Sequence, residues 1–448
     1  MEKVFKVGYG KVNVTPPMGI DVRGYFKVRK ADGVLDELEA VSIAMSLGDK
    51  KVVMIAVDNC SLPNDFIAEA RARIFNKTGV PKEAILIHST HTHTGPQVAM
   101  NSDDEIISKY VTFLLDRVVD VATFALEDLK PAKMGYAVSK APNISFVRRF
   151  KMKDGSFQTN PGVNNPNILE PVGEIDDNVN VLRFDREGAE TIVLANFGDH
   201  PDTVGGCKIS GDWPTLTRKF VEKSIDNTKC IFFNGAQGDI NHVNVHPKGG
   251  DLNGMFLDFD DVSRGYQHAI HMGRVVAGAV MQVYEKVHYV PVNSLNYSLK
   301  AVEFFMNKET DPDKIALAHK YNDLHKAGKD DEIPFKAMML TTVVAEAGRI
   351  VALENAPDTS TMLFTAISVG NIAFIGIPGE PFNEIGKGLK TAEGWDLVLP
   401  CCLCGANGYF PMSDSYDQGG YEGRSSRWKR GTGERIVEEG KKLLSELK

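Results

Sequence analysis

Lys51-Val-Val-Met-Ile-Ala-Val-Asp58 is an unbroken apolar run that stops at an acidic residue. That is the pattern of a central strand covered on both faces. Asn64-Asp65 offers a cap for a helix over Phe66 to Lys77, and Gly79-Val-Pro81 stops it. A second apolar run, Ile85 to Ile87, follows at once. Strand, helix and strand within about 40 residues make a β-α-β unit, typical of a parallel sheet. The unit predicts an α/β fold, with a mixed, largely parallel sheet flanked by helices.

Working outward, Asp104 to Leu129 predicts a helix, with Leu114, Val118, Val121 and Ala125 at helical spacing. Residues 138–178 are rich in Asn, Pro and Gly and predict a long irregular excursion, which in a compact domain is usually functional. Strands are expected at Val179 to Phe184, Thr191 to Phe197 and Cys230 to Phe233, with a helix over Trp213 to Glu222. A Gly-, Asp- and His-rich loop, 234–262, leads into a helix expected over 263–286. Helices follow at 312–328 and 335–355, then a hairpin of 362–369 with 372–377 across Gly370-Asn371, and a polar helix at 433–447. No repeat or flexible linker divides the chain, so 1–448 reads as one domain.

The 448 residues are 43% hydrophobic and 25% charged, which excludes a disordered or fibrous protein. A net charge of −8 leaves no basic footprint for nucleic acid or anionic lipid. The start, Met1-Glu-Lys-Val-Phe-Lys-Val-Gly8, has no apolar core of an export signal, and no apolar segment approaches a membrane span. The six cysteines are then expected to be reduced, in a cytoplasmic protein. Cys401-Cys-Leu-Cys404 continues the apolar run that begins at Asp396, and we read it as buried packing rather than a soft-metal site.

The chemistry concentrates where apolar runs end. Ile85-Leu-Ile-His-Ser-Thr-His-Thr-His-Thr-Gly-Pro96 carries His88, His91 and His93. Strand alternation puts His91 and His93 on one side, and two imidazoles at a strand's end suit a divalent metal. The alternative is a set of core histidines with satisfied hydrogen bonds. Three further runs end similarly, in Gly198-Asp-His200-Pro201, in Asn234-Gly-Ala-Gln-Gly-Asp239-Ile-Asn241-His242, and in Pro378-Gly-Glu380-Pro381. Ligands of open α/β sheets bind outside the carboxyl ends of strands, so His91, His93, His200, Asp239 and Glu380 are expected to converge. Each alone fits a turn or a helix cap, Asp239 most of all. His242 and His246 could serve a second metal or a substrate, or belong to a solvated loop. His268 and His271, three apart on one helix face, could reach the same place or be structural. His288, His319 and His325 read as surface residues.

Several of these stretches, in order, resemble the catalytic domain of the neutral, non-lysosomal ceramidase family. They are Val7-Gly-Tyr-Gly-Lys-Val-Asn-Val-Thr-Pro-Pro17, Thr90-His-Thr-His-Thr-Gly-Pro96, Asn196-Phe-Gly-Asp-His200 with Ser210-Gly-Asp-Trp-Pro214, Gly235-Ala-Gln-Gly-Asp-Ile-Asn241, Pro378-Gly-Glu380, and Asn407-Gly-Tyr409 with Tyr416 and Tyr421-Glu-Gly423. The resemblance implies zinc held by His91, His200, Glu380 and Tyr409. It implies His93 beside the attacking water, Tyr421 as a donor to the oxyanion, and a site arginine at Arg148 or Arg149. One departure matters. The family has Gly-Asp-x-Ser-Pro-Asn, with the serine in the substrate site; here Gly238-Asp-Ile-Asn241-His242 stands there. Asn241 keeps hydrogen-bonding groups but cannot replace a hydroxyl nucleophile. The length also leaves no room for the family's C-terminal β-sandwich. The expectation is a zinc-dependent hydrolase of an amide (N-acyl) bond in a small polar substrate rather than ceramide. The competing expectations are a metal-dependent lyase or glycan-acting enzyme, and a non-catalytic ligand-binding protein on the same fold.

Overall fold

The computed structural model describes residues 4–26, 28–251 and 265–448. The opening β-α-β unit forms as the sequence dictates. Strand Lys50–Val57 pairs in parallel with Ile85–Ser89. The helix between them, Asn64–Thr78, ends on Gly79 at φ 74°, whose N–H closes on Phe75 O. Asn64 and Asp65 do not supply the cap position, which falls on Pro63. The Asn64 side chain instead bridges to Asn407 and Ala406, tying the helix start to a loop that borders the candidate site.

Among the described residues the unit belongs to a nine-stranded sheet. Its main path runs Thr228–Asn234, Thr191–Phe197, Asn178–Arg186, Lys130–Lys140, Phe5–Asn13, Glu39–Leu47, Lys50–Val57, Ile85–Ser89. The sheet is mixed and flanked by helices, as expected, but it is not largely parallel. Parallel pairing is confined to its two ends, 191–197 with 228–234 and 50–57 with 85–89. The interior pairs are antiparallel, and two of them, 39–47 with 50–57 and 178–186 with 191–197, are joined by short connections. Gly48-Asp49 turns Glu39–Leu47 directly into Lys50–Val57, and a two-residue link permits nothing but a hairpin.

A second sheet, four-stranded among the described residues, lies behind the first: Leu295–Phe305, Thr359–Val369, Ile372–Gly376, Leu397–Cys401. Side-chain alternation divides the core into layers. Leu182, Leu194, Ile231 and Phe233 share one core with Ile367, Val369, Phe374 and Leu399 of the second sheet. Val181, Val193 and Phe232 face the other way, onto Trp213 and Val221 of helix Asp212–Ser224 and Met272 and Val276 of helix Tyr266–Val283. Phe364, Ala373 and Ile375 of the second sheet pack on Ile385, Leu389, Ile436 and Leu444 of the C-terminal helices. The order is therefore helices, sheet, sheet, helices.

Several elements differ from expectation. The excursion at 138–178 is partly regular: strand Lys130–Lys140 runs into it, and Arg149–Met152, Phe157–Thr159 and Ile168–Pro171 form a small sheet. The end of the 234–262 loop and the start of the helix expected at 263 lie outside the described residues; the described helix begins at Tyr266. Helix Glu105–Glu127, capped by the Asp104 carboxylate, buries Leu114, Val118, Val121 and Ala125 as their spacing requires. Cys401, Cys402 and Cys404 are buried free thiols packed in the interior. No described helix is long and apolar enough to cross a membrane.

Candidate metal centre

The His91 arm is built from the strand beside it. The strand ends at Ser89, after which Thr90 N donates to Val57 O and His91 N to Asn59 O, both at 2.9 Å. Thr90 Oγ1 is held by Asp58, a buried carboxylate that also takes hydrogen bonds from Thr215 and Arg218. His91 itself has φ 80°, a conformation that costs a non-glycine residue on the order of 1–3 kcal/mol and persists only when its surroundings enforce it. His91 and His93 therefore share a side because the chain turns there, not through strand alternation. His88, still on the strand, is a core residue. Its Nδ1–H donates to Cys402 O at 2.6 Å and its Nε2 accepts from Asn234 N at 3.0 Å. Burial pushes its pKa down to about 4.

Four side chains expected from three strand ends meet. His91 Nε2 lies 3.1 Å from His200 Nε2, 3.2 Å from His93 Nε2 and 3.2 Å from Glu380 Oε2. His200 Nε2 to Glu380 Oε2 is 3.8 Å. Zinc bonds of about 2.0–2.1 Å in a tetrahedron separate ligand atoms by roughly 3.3 Å, so His91, His200 and Glu380 are spaced to share one ion. The donor chemistry agrees. His91 Nδ1–H is spent on Cys60 O at 2.7 Å, leaving the Nε2 lone pair. His200 Nδ1 lies 3.3 Å from Gln237 O, and burial followed by the charges of Arg148 and His91 holds this imidazole neutral, well below its ordinary pKa. Glu380 Oε2 is buried without any hydrogen-bond donor. Burial acts to raise the Glu380 pKa and to lower that of His91, but the attraction between the two outweighs it and holds carboxylate and imidazolium both charged, so an ion bound here would take the place of the His91 Nε2 proton. A neighbouring group, Cys60 with His91 and His93, is also close-set, but the Cys60 thiol sits 3.9 Å from Nδ1, the edge of His91 that is already committed.

Tyr409 stands directly beside Glu380. Glu380–Pro381 and Tyr409–Phe410 pair in parallel, with Glu380 opposite Tyr409. The Tyr409 hydroxyl bonds to Glu380 and accepts from Arg148. Arg148 is buried, donates from Nε to Glu422 Oε1 at 2.7 Å and from Nη2 to Gly238 O at 2.6 Å, and lies 5.4 Å over the Tyr409 ring. Arg149 points elsewhere, to Gln418 and over Phe382, so of the two Arg148 is the one at the site. The rings of Tyr409 and Tyr421 are 5.5 Å apart. Burial and the Glu380 charge push the Tyr421 hydroxyl pKa up, which keeps it a proton donor at neutral pH.

A cavity of about 340 Å³ opens beside these groups, with His93, Arg148, His200, Asp202, Tyr409 and Tyr421 on its walls. Asn241 is one step removed: its Nδ2 donates to Asn160 Oδ1 at 3.1 Å, and Asn160 is the residue that faces the cavity. Asp239 is a cap, accepting Asn383 N at the start of helix Asn383–Lys390. His246 is exposed, while His242 is buried and bonded to Asp202. His325, read as a surface residue, is half-buried and lines the cavity, paired with Asp330 at 2.8 Å.

Other participants were missed. Gly24 packs on His93, where a Cβ would lie 2.7 Å from the His93 Cβ, and its φ is 116°. Arg29 donates to His93 O at 2.7 Å. Helix Ala337–Leu353 roofs the cavity with Met338, Leu340 and Val344. The Gly24-Tyr25-Phe26 step was a turn signal in the sequence; the roof left no signal, since it depends on packing between distant segments.

With two stacked sheets between helices and its polar site at the strand ends, the chain has the fold of the ceramidases among solved structures. It superposes on the crystal structure of neutral ceramidase from Pseudomonas aeruginosa with a TM-score of 0.73, over 99% of this chain and 74% of that one, at 15% identity. A ceramidase complexed with C2 gives a TM-score of 0.72, over 99% and 76%, also at 15% identity. No family model and no curated protein sequence matches the chain.

Proposed function

We propose that this chain is a zinc-dependent hydrolase of an amide (N-acyl) bond in a small polar substrate. The observation that carries the proposal is the convergence of His91 Nε2, His200 Nε2 and the donor-free Glu380 Oε2 beside a cavity. Tyr409 completes the ligand set in this reading. A bound zinc supplies Lewis acidity at the carbonyl and acidifies the attacking water. His93, 3.2 Å from His91 Nε2, carries the proton from the water to the leaving amine. Tyr421 donates to the oxyanion, and Arg148 fixes Tyr409 and the His200 loop through Glu422 and Gly238. The fold shared with ceramidases favours an amide as the scissile bond.

The cavity's size and its polar groups support the small polar substrate in this reading. A 340 Å³ cavity is near the small end of ligand sites. The lining is mixed: Asp202, Thr159 and Asn160, the last held by Asn241, are polar, while Phe26, Met338, Leu340 and Val344 are apolar. An alkyl chain there would strand polar groups, at about 1–3 kcal/mol each. In this reading 1–448 works as one catalytic unit. All six cysteines are free thiols, which favours a reducing compartment such as the cytoplasm. The test is turnover by zinc-loaded protein of short N-acyl amines, N-acyl amino acids and ceramide. Hydrolysis of the small compounds, lost in His93→Ala, supports the proposal. Ceramide hydrolysis at ordinary enzymatic rates, or bond cleavage by elimination, refutes it.

A further inference from the structure

Behind the cavity wall lies a second group of imidazoles that the proposed reaction does not use. His242, on the loop after Ile240–Asn241, meets His268 of helix Tyr266–Val283 with ring centroids 5.7 Å apart. His268 and His271, one turn apart on that helix, have centroids 5.9 Å apart. In the first centre the two ligand imidazoles, His91 and His200, have centroids 4.6 Å apart. The second group is wider: its three imidazoles do not lie within one ion's reach as they stand, and closing the group requires the outermost member, His271, which is exposed, to turn inward.

Two features distinguish this group from a chance contact. First, His242 Nδ1 donates to Asp202 Oδ1 at 3.1 Å. That bond fixes the tautomer and leaves the Nε2 lone pair bare, as a carboxylate does for a metal-bound histidine. Second, His242 Nε2 and His268 Nε2 are both buried without a hydrogen-bond partner. His242 is 1% exposed and His268 8%, and bare polar atoms at such depth are rare. The negative charge of Asp251 also acts on His268, so a carboxylate stands near the rim.

We infer that His242, His268 and His271, with Asp251 at the rim, form a second binding site for a divalent transition ion. Three imidazoles select zinc, nickel or copper over magnesium or calcium, which prefer oxygen ligands. An ion there would bear on the cavity, because Asp202 lines it while holding His242. The site shares no ligand with the first centre.

The experiment is zinc counting on the full chain, stripped with a chelator and retitrated with Zn²⁺, with cobalt spectra as a second readout. The account expects two equivalents in the parent protein and one in His268→Ala. It expects one in His200→Ala as well, and none in the double variant. Two equivalents retained by His268→Ala overturn the second site. So does a parent protein whose single equivalent is lost in His200→Ala. A single equivalent lost in His268→Ala and kept in His200→Ala supports the second site and refutes the first centre. If His268→Ala does not fold, His271→Ala replaces an exposed residue. Weakening of one of two affinities by at least about tenfold, the scale of lost metal-site support, sustains the inference, and two unchanged affinities overturn it.

Discussion

Glu380 and Tyr409 face each other in register across a two-residue parallel ladder. Sheet register, rather than side-chain flexibility, therefore delivers a carboxylate and a phenol to the same point. The phenol bridges Glu380 and Arg148. Tyr409→Phe keeps the ring and removes the bridge. Zinc affinity should fall about 10- to 100-fold, read by competition with a chelator; an unchanged affinity would show that Tyr409 neither binds nor supports the ion.

Arg148 and Glu422 form an ion pair with side chains 5% and 0% exposed. Glu422 also accepts from Thr159. Glu422→Gln leaves the guanidinium buried without its counter-charge, at a cost of about 3–5 kcal/mol. Urea denaturation should show that loss. A change below about 1 kcal/mol would place this pair among exposed ion pairs and contradict the burial.

Gly24 touches His93 where no side chain fits. Gly24→Ala should displace the imidazole while leaving His91, His200 and Glu380 in place. Zinc content should remain that of the parent, and turnover should drop on the order of a hundredfold, the effect of a misplacement near 1 Å. Loss of zinc in step with activity would assign His93 to the ligand set instead of the proton-transfer role.

Asp212, at the start of helix Asp212–Ser224, is fully buried, and burial pushes its carboxyl pKa up to about 7. Unfolded, it titrates near about 3.9. The folded state thus holds the proton more tightly, so stability is greatest below the unfolded value and declines as pH rises from about 4 through 7. Asp212→Asn removes this slope. The stability difference between the two proteins should move toward the variant across that interval, measured by denaturation at each pH, and parallel pH profiles would contradict the shift.

The metal-ligand types were legible because apolar runs ended in them. His91, His200 and Glu380 could be read as convergent from strand ends alone. The reason His91 and His93 align was not legible, since it lies in a positive φ enforced by Asp58, Asn59 and Cys60. The hairpin at Gly48-Asp49 was a readable signal, and using it would have predicted one antiparallel pair inside the sheet. Asp202 escaped because a residue in a Pro-flanked turn gives no sign of which way it faces; His242 tethers it. His325 looked solvated by its polar neighbours, yet Phe26 packs against it with centroids 6.3 Å apart across some 300 residues of chain, on the order of separation that no local pattern encodes.

The central claim is a zinc ion at His91, His200 and Glu380. Diffraction at the zinc absorption edge, from crystals of protein loaded with zinc at stoichiometric amounts, tests it most directly. The account predicts an anomalous peak within bonding distance of His91 Nε2, His200 Nε2 and Glu380 Oε2. An ordered site with those three atoms resolved and no peak between them would contradict it.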